Sequence, residues 1–326
     1  MVILTEAQKK RLNRMKNALD KAIKNSSLPE HKDADPLKAD KNAALSFVVW
    51  ADPQISALSP LRALRVHHAC RDFEGLNAEF DALLMAGDLA EYGSASEYAM
   101  LSYLLENVKG AFKNILAVGG NHDVRIRGFK KQIIRLRSFL LSFENGVPNP
   151  EDRYWFSTEI GGYKFILLGS DTNSFEGMRI KDEQLSFIKK ELAGVDEGKP
   201  VFVLNHQPLK RTNGLPVTFL GRGKWRGSVG WESDKLREAL STHKNTVYIT
   251  GHLHYCTSRY TYEDLGNIKA VNAPTVGVIN HGPFKSYTQG LVFNVYDDKI
   301  IVRSRIFGEG KYASEGIENS EFEIIL

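Results

Sequence analysis

Five short apolar runs, each followed at once by polar residues, recur along the chain. They occupy residues 45–51, 82–86, 115–118, 201–204 and 246–249. Each run is too short and too apolar to form a surface helix, so we interpret each as a buried β-strand. The repeated pattern predicts a sheet core whose strands end in polar loops.

Helical patterns separate several of these predicted strands. Ser94 and Glu97 have the spacing of a capping box, which predicts a helix that runs to about residue 108. Residues 128–143 and 182–192 have the apolar periodicity of two further helices. Residues 155–168 contain two apolar segments that flank a pair of glycines and predict a β-hairpin. Together with a β-rich C-terminal part, these elements indicate an α/β protein with an additional antiparallel portion.

The N-terminal part of the chain has a different character. Residues 5–24 are rich in lysine and predict an amphipathic helix. Its apolar stripe consists of Leu12, Met15, Leu19 and Ile23. We expect this stripe to pack on the chain's own core, with a partner-binding or membrane-surface role as the alternative. A polar stretch over residues 25–42 predicts a linker or an ordered wrap, which divides the chain into residues 1–44 and a main domain of residues 45–326.

Composition narrows the classes of function only slightly. The net charge of +4 suits an anionic substrate or simply keeps the protein in solution, and it is too weak to indicate a nucleic-acid partner. Cys70 and Cys256 lie far apart, which argues against a disulfide framework and a zinc–thiolate site. The chain shows neither a signal-peptide pattern at its start nor an apolar stretch long enough to span a membrane, so we expect a cytoplasmic protein.

Potential metal ligands follow all five predicted strands. They are Asp52 and Gln54, Asp88, Asn121 and His122, His206, and His252 and His254. In α/β sheets, ligands bind at the carboxyl ends of the strands. Carboxylate, amide and imidazole ligands without thiolates suit Mn²⁺, Fe or Zn²⁺, and a carboxylate such as Asp88 can bridge two ions. Each residue taken singly could be structural, whereas their recurrence at five strand ends indicates a metal centre.

The polar segments resemble the five motifs of the calcineurin-like metallophosphoesterases. The matching segments are Asp52-Pro53-Gln54, Gly87-Asp88-Leu89-Ala90-Glu91, Gly120-Asn121-His122-Asp123, Asn205-His206 and Gly251-His252-Leu253-His254. The resemblance covers about residues 45–255. It implies an α/β fold, a four-layer α/β/β/α sandwich of two mixed sheets flanked by helices, with the site at the edge of the two facing sheets.

The resemblance also implies a role for each residue of these motifs. The first of two divalent ions would be held by Asp52, Gln54, Asp88 and His254, and the second by Asp88, Asn121, His206 and His252. His122 would bind a phosphoryl oxygen and protonate the leaving group, and Asp123 would orient the His122 ring. A hydroxide held between the two ions would attack the phosphorus atom.

Two positions depart from the family's usual pattern. Gln54 stands where histidine is common, and an amide oxygen is a harder, neutral and weaker ligand than an imidazole. We therefore expect a looser first metal and favour Mn²⁺, with Fe, Mg²⁺ and Zn²⁺ as the other candidates. Glu91 also stands where aspartate is common, and a supporting role behind the ligands and a simple helix-start carboxylate remain open alternatives.

A basic, glycine-rich segment between His206 and Glu232 suggests how a substrate is held. Arg222, Lys224 and Arg226 could grip phosphate from a mobile lid, and Trp225 could stack on a base. An ordinary solvated surface loop is the alternative.

The sequence therefore predicts a metal-dependent phosphoric ester hydrolase. Its substrate would be a small phosphodiester or phosphomonoester, with a nucleotide as one candidate. A protein phosphatase is disfavoured, since Asp123 stands where that group has glutamate. The contending prediction is a binding or scaffold protein that keeps the fold and has lost catalysis.

Overall fold

The computed structural model describes residues 3–26, 35–126, 128–221, 226–285 and 288–326. Within these residues, thirteen strands form two sheets and seven α-helices flank them. The strands are β1 (Leu45–Trp50), β2 (Ala82–Met85), β3 (Ile115–Ala117), β4 (Phe156–Ile160), β5 (Tyr163–Leu167), β6 (Val201–Leu204), β7 (Thr246–Thr250), β8 (Tyr262–Asp264), β9 (Ile268–Asn272), β10 (Gln289–Val295), β11 (Lys299–Ile306), β12 (Lys311–Tyr312) and β13 (Glu321–Ile325). The helices are α1 (Glu6–Lys24), α2 (Pro60–Cys70), α3 (Ala95–Leu105), α4 (Asn121–Val124), α5 (Phe129–Leu140), α6 (Asp182–Ala193) and α7 (Ser233–Leu240).

Both sheets are mixed and contain a parallel centre. The first has the order β12-β11-β10-β1-β2-β3, with β13 also paired to β11. The second has the order β4-β5-β6-β7-β9-β8. The strands β1, β2 and β3 run parallel in the first sheet, and β5, β6, β7 and β9 run parallel in the second. The parallel strands of each sheet therefore end at one common edge.

Alternation along β1 shows how the layers are held together. Phe47 and Val49 lie in the core between the two sheets, whereas Val48 and Trp50 face the helices. Both faces of the strand are thus buried, which explains its unbroken apolar sequence. The ring of Phe47 stacks on Phe293 at 4.7 Å between ring centroids, within the core that joins the two sheets.

Two outer cores complete the sandwich. Helices α1, α2, α3 and α5 pack on the first sheet, and α6 and α7 pack on the second. The architecture confirms the predicted four-layer α/β/β/α sandwich of two mixed sheets flanked by helices.

The N-terminal helix α1 belongs to this packing. It begins with a capping box between Thr5 and Gln8. Met15 and Leu19 are buried in the outer core of the first sheet, as the apolar spacing predicts, although Ile23 at the end of the stripe is exposed. No helix in the described part of the chain is both long enough and apolar enough to cross a membrane. The division of the chain at residue 44 remains a prediction.

A buried ion pair ties the C-terminal strands to the helical layer. Arg305 on β11 contacts Asp72 after α2, with its Nε at 3.0 Å from Oδ2, and the side chains are only 1% and 2% exposed. The same guanidinium donates to the carbonyl of Asp35 at 2.8 Å, which fixes the segment that precedes β1.

Candidate metal centre and active site

The predicted ligands meet where the parallel strands of both sheets end. The loops after β1, β2 and β3 carry Asp52, Gln54, Asp88 and Asn121, and the loops after β6 and β7 carry His206, His252 and His254. The backbone N–H of His252 donates to Asp52 Oδ2 at 3.0 Å, so a direct hydrogen bond joins the two sheets at this edge.

Two groups of acidic and imidazole ligand atoms form at this edge. Asp88, His206 and His252 make one group, and Asp52, Asp88 and His254 make the other. Within each group the potential ligand atoms lie within 4.8 Å of one another. Asp88 belongs to both groups, which is the arrangement that a carboxylate bridging two ions requires.

The contacts among these side chains are short. His206 Nε2 lies 3.2 Å from Asp88 Oδ2, and His252 Nδ1 lies 3.1 Å from His206 Nε2. His254 Nε2 lies 3.1 Å from Asp52 Oδ1. His206 Nδ1 donates to the carbonyl of Ala86 at 2.7 Å, so its Nε2 is the nitrogen turned towards the carboxylates.

Backbone strain concentrates at the same residues. Asp52, Gln54, Asp88, His252 and His254 have φ angles of 51°, 43°, 50°, 71° and 50°. Residues other than glycine rarely adopt this left-handed region, and each such conformation costs about 1–3 kcal/mol. Five strained residues at one sheet edge indicate that the fold holds these side chains in place for a function.

Two glycines permit the close approach of the motifs. A Cβ on Gly120 would lie 2.8 Å from Asp88 Cγ and closer still to the Asp88 backbone. A Cβ on Gly87, which has a φ of +85°, would lie 2.6 Å from His206 Nδ1. Side chains at these positions would push the shared carboxylate or the imidazole out of the cluster.

The charges of the cluster favour a cation. Burial alone would raise the pKa of Asp88, but the positive charges of His206 and His122 outweigh burial and hold that pKa below its ordinary range. Burial would likewise lower the pKa of His206, yet Asp88 raises it to about 9. Burial and the positive charge of His206 lower the pKa of His252. The carboxylates of Asp88 and Asp52 thus draw positive charge into a buried site.

Three buried polar atoms fit the predicted metal ions. Gln54 Oε1, Asn121 Oδ1 and His252 Nε2 have no hydrogen-bond partner among the described residues. The amide nitrogens beside the two oxygens are engaged, because Gln54 Nε2 donates to Glu91 at 2.9 Å and Asn121 Nδ2 donates to the carbonyl of Phe175 at 3.2 Å. Buried acceptors of this kind are costly unless a ligand satisfies them, so the residues fit a dinuclear divalent-metal centre.

His122 lies at the rim of the cluster, with 16% of its side chain exposed. Its backbone N–H donates to Asp88 Oδ1 at 2.8 Å, and its ring Nδ1 lies 3.3 Å from Glu91 Oε1. Burial would lower the pKa of His122, but the charges of Asp88 and Glu91 raise it.

The predicted contact between Asp123 and the His122 ring is wrong. The Asp123 carboxylate accepts from the backbone N–H groups of Leu89, Ala90 and Gly120 and from the Tyr98 hydroxyl, at 2.8–3.0 Å. In the described chain it makes no hydrogen bond to the His122 ring. These four donors turn the carboxylate towards the backbone behind the site. Asp123 therefore links the segment of residues 120–123 to the segment of residues 87–91.

Glu91, and not Asp123, contacts the His122 ring. It also contacts Gln54, and ion pairs with Arg62 and Arg125 hold it in position. Burial would raise the pKa of Glu91, but the hydrogen bonds from His122 and Arg62 lower it to about 2. Of the two roles left open for Glu91, the contacts favour support behind the ligands. Arg62 and Arg125 had no motif that identified them in the sequence.

The predicted substrate contacts are only partly described. Arg222 and Lys224, together with Trp225, lie outside the described residues. Arg226 lies on a cavity of about 280 Å³ that Arg179 and Trp231 also line. Its Nε is 3.9 Å from Glu176 Oε2. The lid function of this segment remains a prediction.

Phe219 is a further site residue that the sequence did not reveal. Its ring stacks on the imidazole of His252, with 5.2 Å between centroids and 21° between planes. Asn272, at the end of β9, donates from its side chain to the carbonyl of Gly251 at 2.6 Å. This hydrogen bond supports the segment that carries His252 and His254.

Sequence comparisons find relatives over the central part of the chain. A family model described as calcineurin-like phosphoesterase matches residues 47–256. A probable cyclic nucleotide phosphodiesterase of Rhodococcus erythropolis is 27% identical over 179 residues, which are 55% of this chain and 52% of the relative. A cAMP/cGMP dual specificity phosphodiesterase of Mycobacterium tuberculosis is 28% identical over 179 residues, which are 55% of this chain and 50% of the relative. The match thus spans about half the length of these relatives.

Solved structures share the fold. A dimetal phosphatase from Danio rerio superposes with a TM-score of 0.57 at 14% identity, over 87% of this chain and 99% of the other. A purple acid phosphatase from yellow lupin (Lupinus luteus) seeds superposes with a TM-score of 0.58 at 17% identity, over 86% of this chain and 53% of the other. At identities this low, the superpositions show only that the architecture is shared.

Proposed function

Because this chain belongs to the calcineurin-like phosphoesterase family, we propose that it hydrolyses a small phosphoester with the help of two divalent cations. Both relatives are named as phosphodiesterases of cyclic nucleotides, which favours a phosphodiester over a phosphomonoester. A cyclic nucleotide is therefore the first substrate to test.

One observation carries the proposal. Two groups of ligand atoms share Asp88, and the acceptor atoms Gln54 Oε1 and Asn121 Oδ1 are buried beside them without a hydrogen-bond partner in the described chain. A protein that used this edge only for packing would gain nothing from strained ligands and unsatisfied buried oxygens. A metal centre explains both features.

We assign the ligands as the motifs imply. Asp52, Gln54, Asp88 and His254 would hold the first ion, and Asp88, Asn121, His206 and His252 the second. When bound, two divalent cations supply Lewis acidity towards the phosphoryl oxygens and lower the pKa of water. The amide oxygen of Gln54 at the first position favours Mn²⁺ over Zn²⁺.

The remaining residues of the site would act on the substrate. In this proposal the His122 side chain binds a phosphoryl oxygen and delivers a proton to the leaving oxygen. Its partial exposure and the contact of its ring with Glu91 support that role. Glu91 would hold the ring in position. Arg226, together with Arg222 and Lys224 outside the described residues, would grip the substrate from the segment that follows His206.

Hydrolysis of bis-p-nitrophenyl phosphate tests the proposal directly. Metal-stripped protein should be inactive, and addition of Mn²⁺ should restore turnover. His122→Ala should lower kcat by about 10²–10⁴-fold, since it removes the general acid. His67→Ala on α2 is a matched control that should keep full activity. Protein that binds and is stabilised by Mn²⁺ yet cleaves neither diesters nor monoesters would refute catalysis and support the scaffold alternative.

A further inference from the structure

An exposed aromatic ring lies in a loop that the predicted ligand Asn121 contacts. Phe175 lies in the loop of residues 168–181, which joins β5 to α6, and 72% of its surface is accessible. A single exposed apolar side chain is common on a protein surface and by itself assigns no function, so what matters is whether the ring is held in place beside the site. The contacts around Phe175 show that its position is indeed fixed.

Two site motifs hold the backbone of this loop. Asn121 Nδ2 donates to the carbonyl of Phe175 at 3.2 Å, and Gln207, which follows His206, donates to the carbonyl of Gly177 at 3.1 Å. A backbone hydrogen bond of 2.7 Å from Asp171 to Arg179 closes the loop at its base. The loop is therefore anchored to the predicted ligand Asn121 and to Gln207, which follows the predicted ligand His206.

A chain of contacts leads from the Phe175 ring to His122. The guanidinium carbon of Arg125 lies 5.7 Å from the Phe175 ring centroid, within the range of a cation–π contact. Arg125 also lies 3.3 Å from Glu91 Oε1, and the same oxygen is 3.3 Å from His122 Nδ1. Arg125 thus covers one part of the ring and leaves most of it accessible to a ligand.

We propose that Phe175 is the stacking platform for the nucleobase of a nucleotide substrate. The inference rests on the proposed function, because protonation by His122 brings the leaving oxygen, and hence the nucleoside that carries it, to this side of the site. An aromatic ring stacks on any base, since every base has a π face. The ring is preorganised by its anchored loop, so stacking requires little ordering on binding.

Equilibrium binding tests this assignment without turnover. The probes are the phosphonate analogue of adenosine 5′-monophosphate and the same analogue without its base, each titrated into Mn²⁺-loaded protein by calorimetry. We expect the base to tighten binding to the natural protein by about 5- to 100-fold. In Phe175→Ala, the ratio of the two dissociation constants, without and with the base, should fall close to one. Phe175→Leu, which keeps an apolar side chain without the ring, should have the same effect. Phe175→Trp should retain the ratio.

Trp231 provides the matched control, because it is also an exposed aromatic residue, with 80% of its surface accessible, but lines the neighbouring cavity. Trp231→Ala should leave the effect of the base unchanged. A ratio near one in the natural protein, an unchanged ratio in Phe175→Ala, or loss of the ratio in Trp231→Ala would each overturn the assignment. Absence of turnover with both diesters and monoesters would refute the proposed function and leave this assignment standing, since these measurements record binding.

Discussion

Replacement of Gly120 by alanine should disrupt the site through a single methyl group. The new Cβ would lie 2.8 Å from Asp88 Cγ and nearer still to the Asp88 backbone nitrogen, whereas ordinary van der Waals contact begins at 3.4 Å. The Asp88 side chain cannot relieve the clash by rotation alone, because its backbone is involved. The strand end that carries the shared carboxylate must therefore move by several tenths of an ångström.

Two measurable effects follow from that displacement. Overpacking at a buried site costs about 1–3 kcal/mol of unfolding free energy, so the metal-free variant should melt at a lower temperature. Because both predicted ions depend on Asp88, calorimetric titration should show Mn²⁺ affinity reduced by about 10- to 100-fold, the range typical of altered ligand support. Gly110→Ala is the matched control, since nothing in the described chain lies within 4 Å of its added Cβ. Natural Mn²⁺ affinity and melting temperature in Gly120→Ala would refute the reasoning.

Two further predictions concern the support of the site and of the fold. Glu91→Ala should weaken Mn²⁺ binding about 10-fold or more in calorimetric titration, because the Gln54 amide loses the carboxylate that orients it; unchanged affinity would contradict this role. Arg305→Met should lower the unfolding free energy in urea by about 3–5 kcal/mol, because it removes the buried guanidinium that neutralises the buried Asp72 carboxylate. The control Lys299→Met removes an exposed ion pair on the same strand and should lower the unfolding free energy by less than about 1 kcal/mol. Equal losses of unfolding free energy in the two variants would show that burial of the ion pair is not decisive.

The sequence predicted those parts of the structure that depend on local pattern. Each ligand-bearing strand is recognisable because it is apolar on both faces and ends at a polar residue. The capping box of Ser94 and Glu97 marks the start of α3 for the same reason. Helix α2 escaped prediction although Pro60 opens it, because its buried face includes Arg65 and His68 and so lacks an apolar periodicity. The two-residue strand β12 exists only through its pairing with β11.

Contacts between loops were harder to predict than the residues that make them. The family resemblance implied that Asp123 orients the ring of its neighbour His122. The short helix α4 instead turns the Asp123 carboxylate back towards the N–H groups of the preceding motif. Glu91 reaches the His122 ring from another loop, and spacing in the sequence gives no measure of that distance. Phe175 and Phe219 approach the site in the same way, from loops without a motif.

The proposed role of Gln54 as a metal ligand depends on its neighbours. A carboxylate only accepts hydrogen bonds, so the contact with Glu91 must be made by the amide nitrogen of Gln54, and the amide oxygen is thereby turned away from Glu91. Ion pairs with Arg62 and Arg125 hold Glu91 in place for this contact, and, against the effect of burial, the hydrogen bonds from His122 and Arg62 lower its pKa. An unsupported amide could rotate and present its nitrogen, which cannot bind a cation. In the proposed centre, Gln54 would present its oxygen to a metal because Glu91 and the His122 ring, each about 3 Å away, engage its nitrogen.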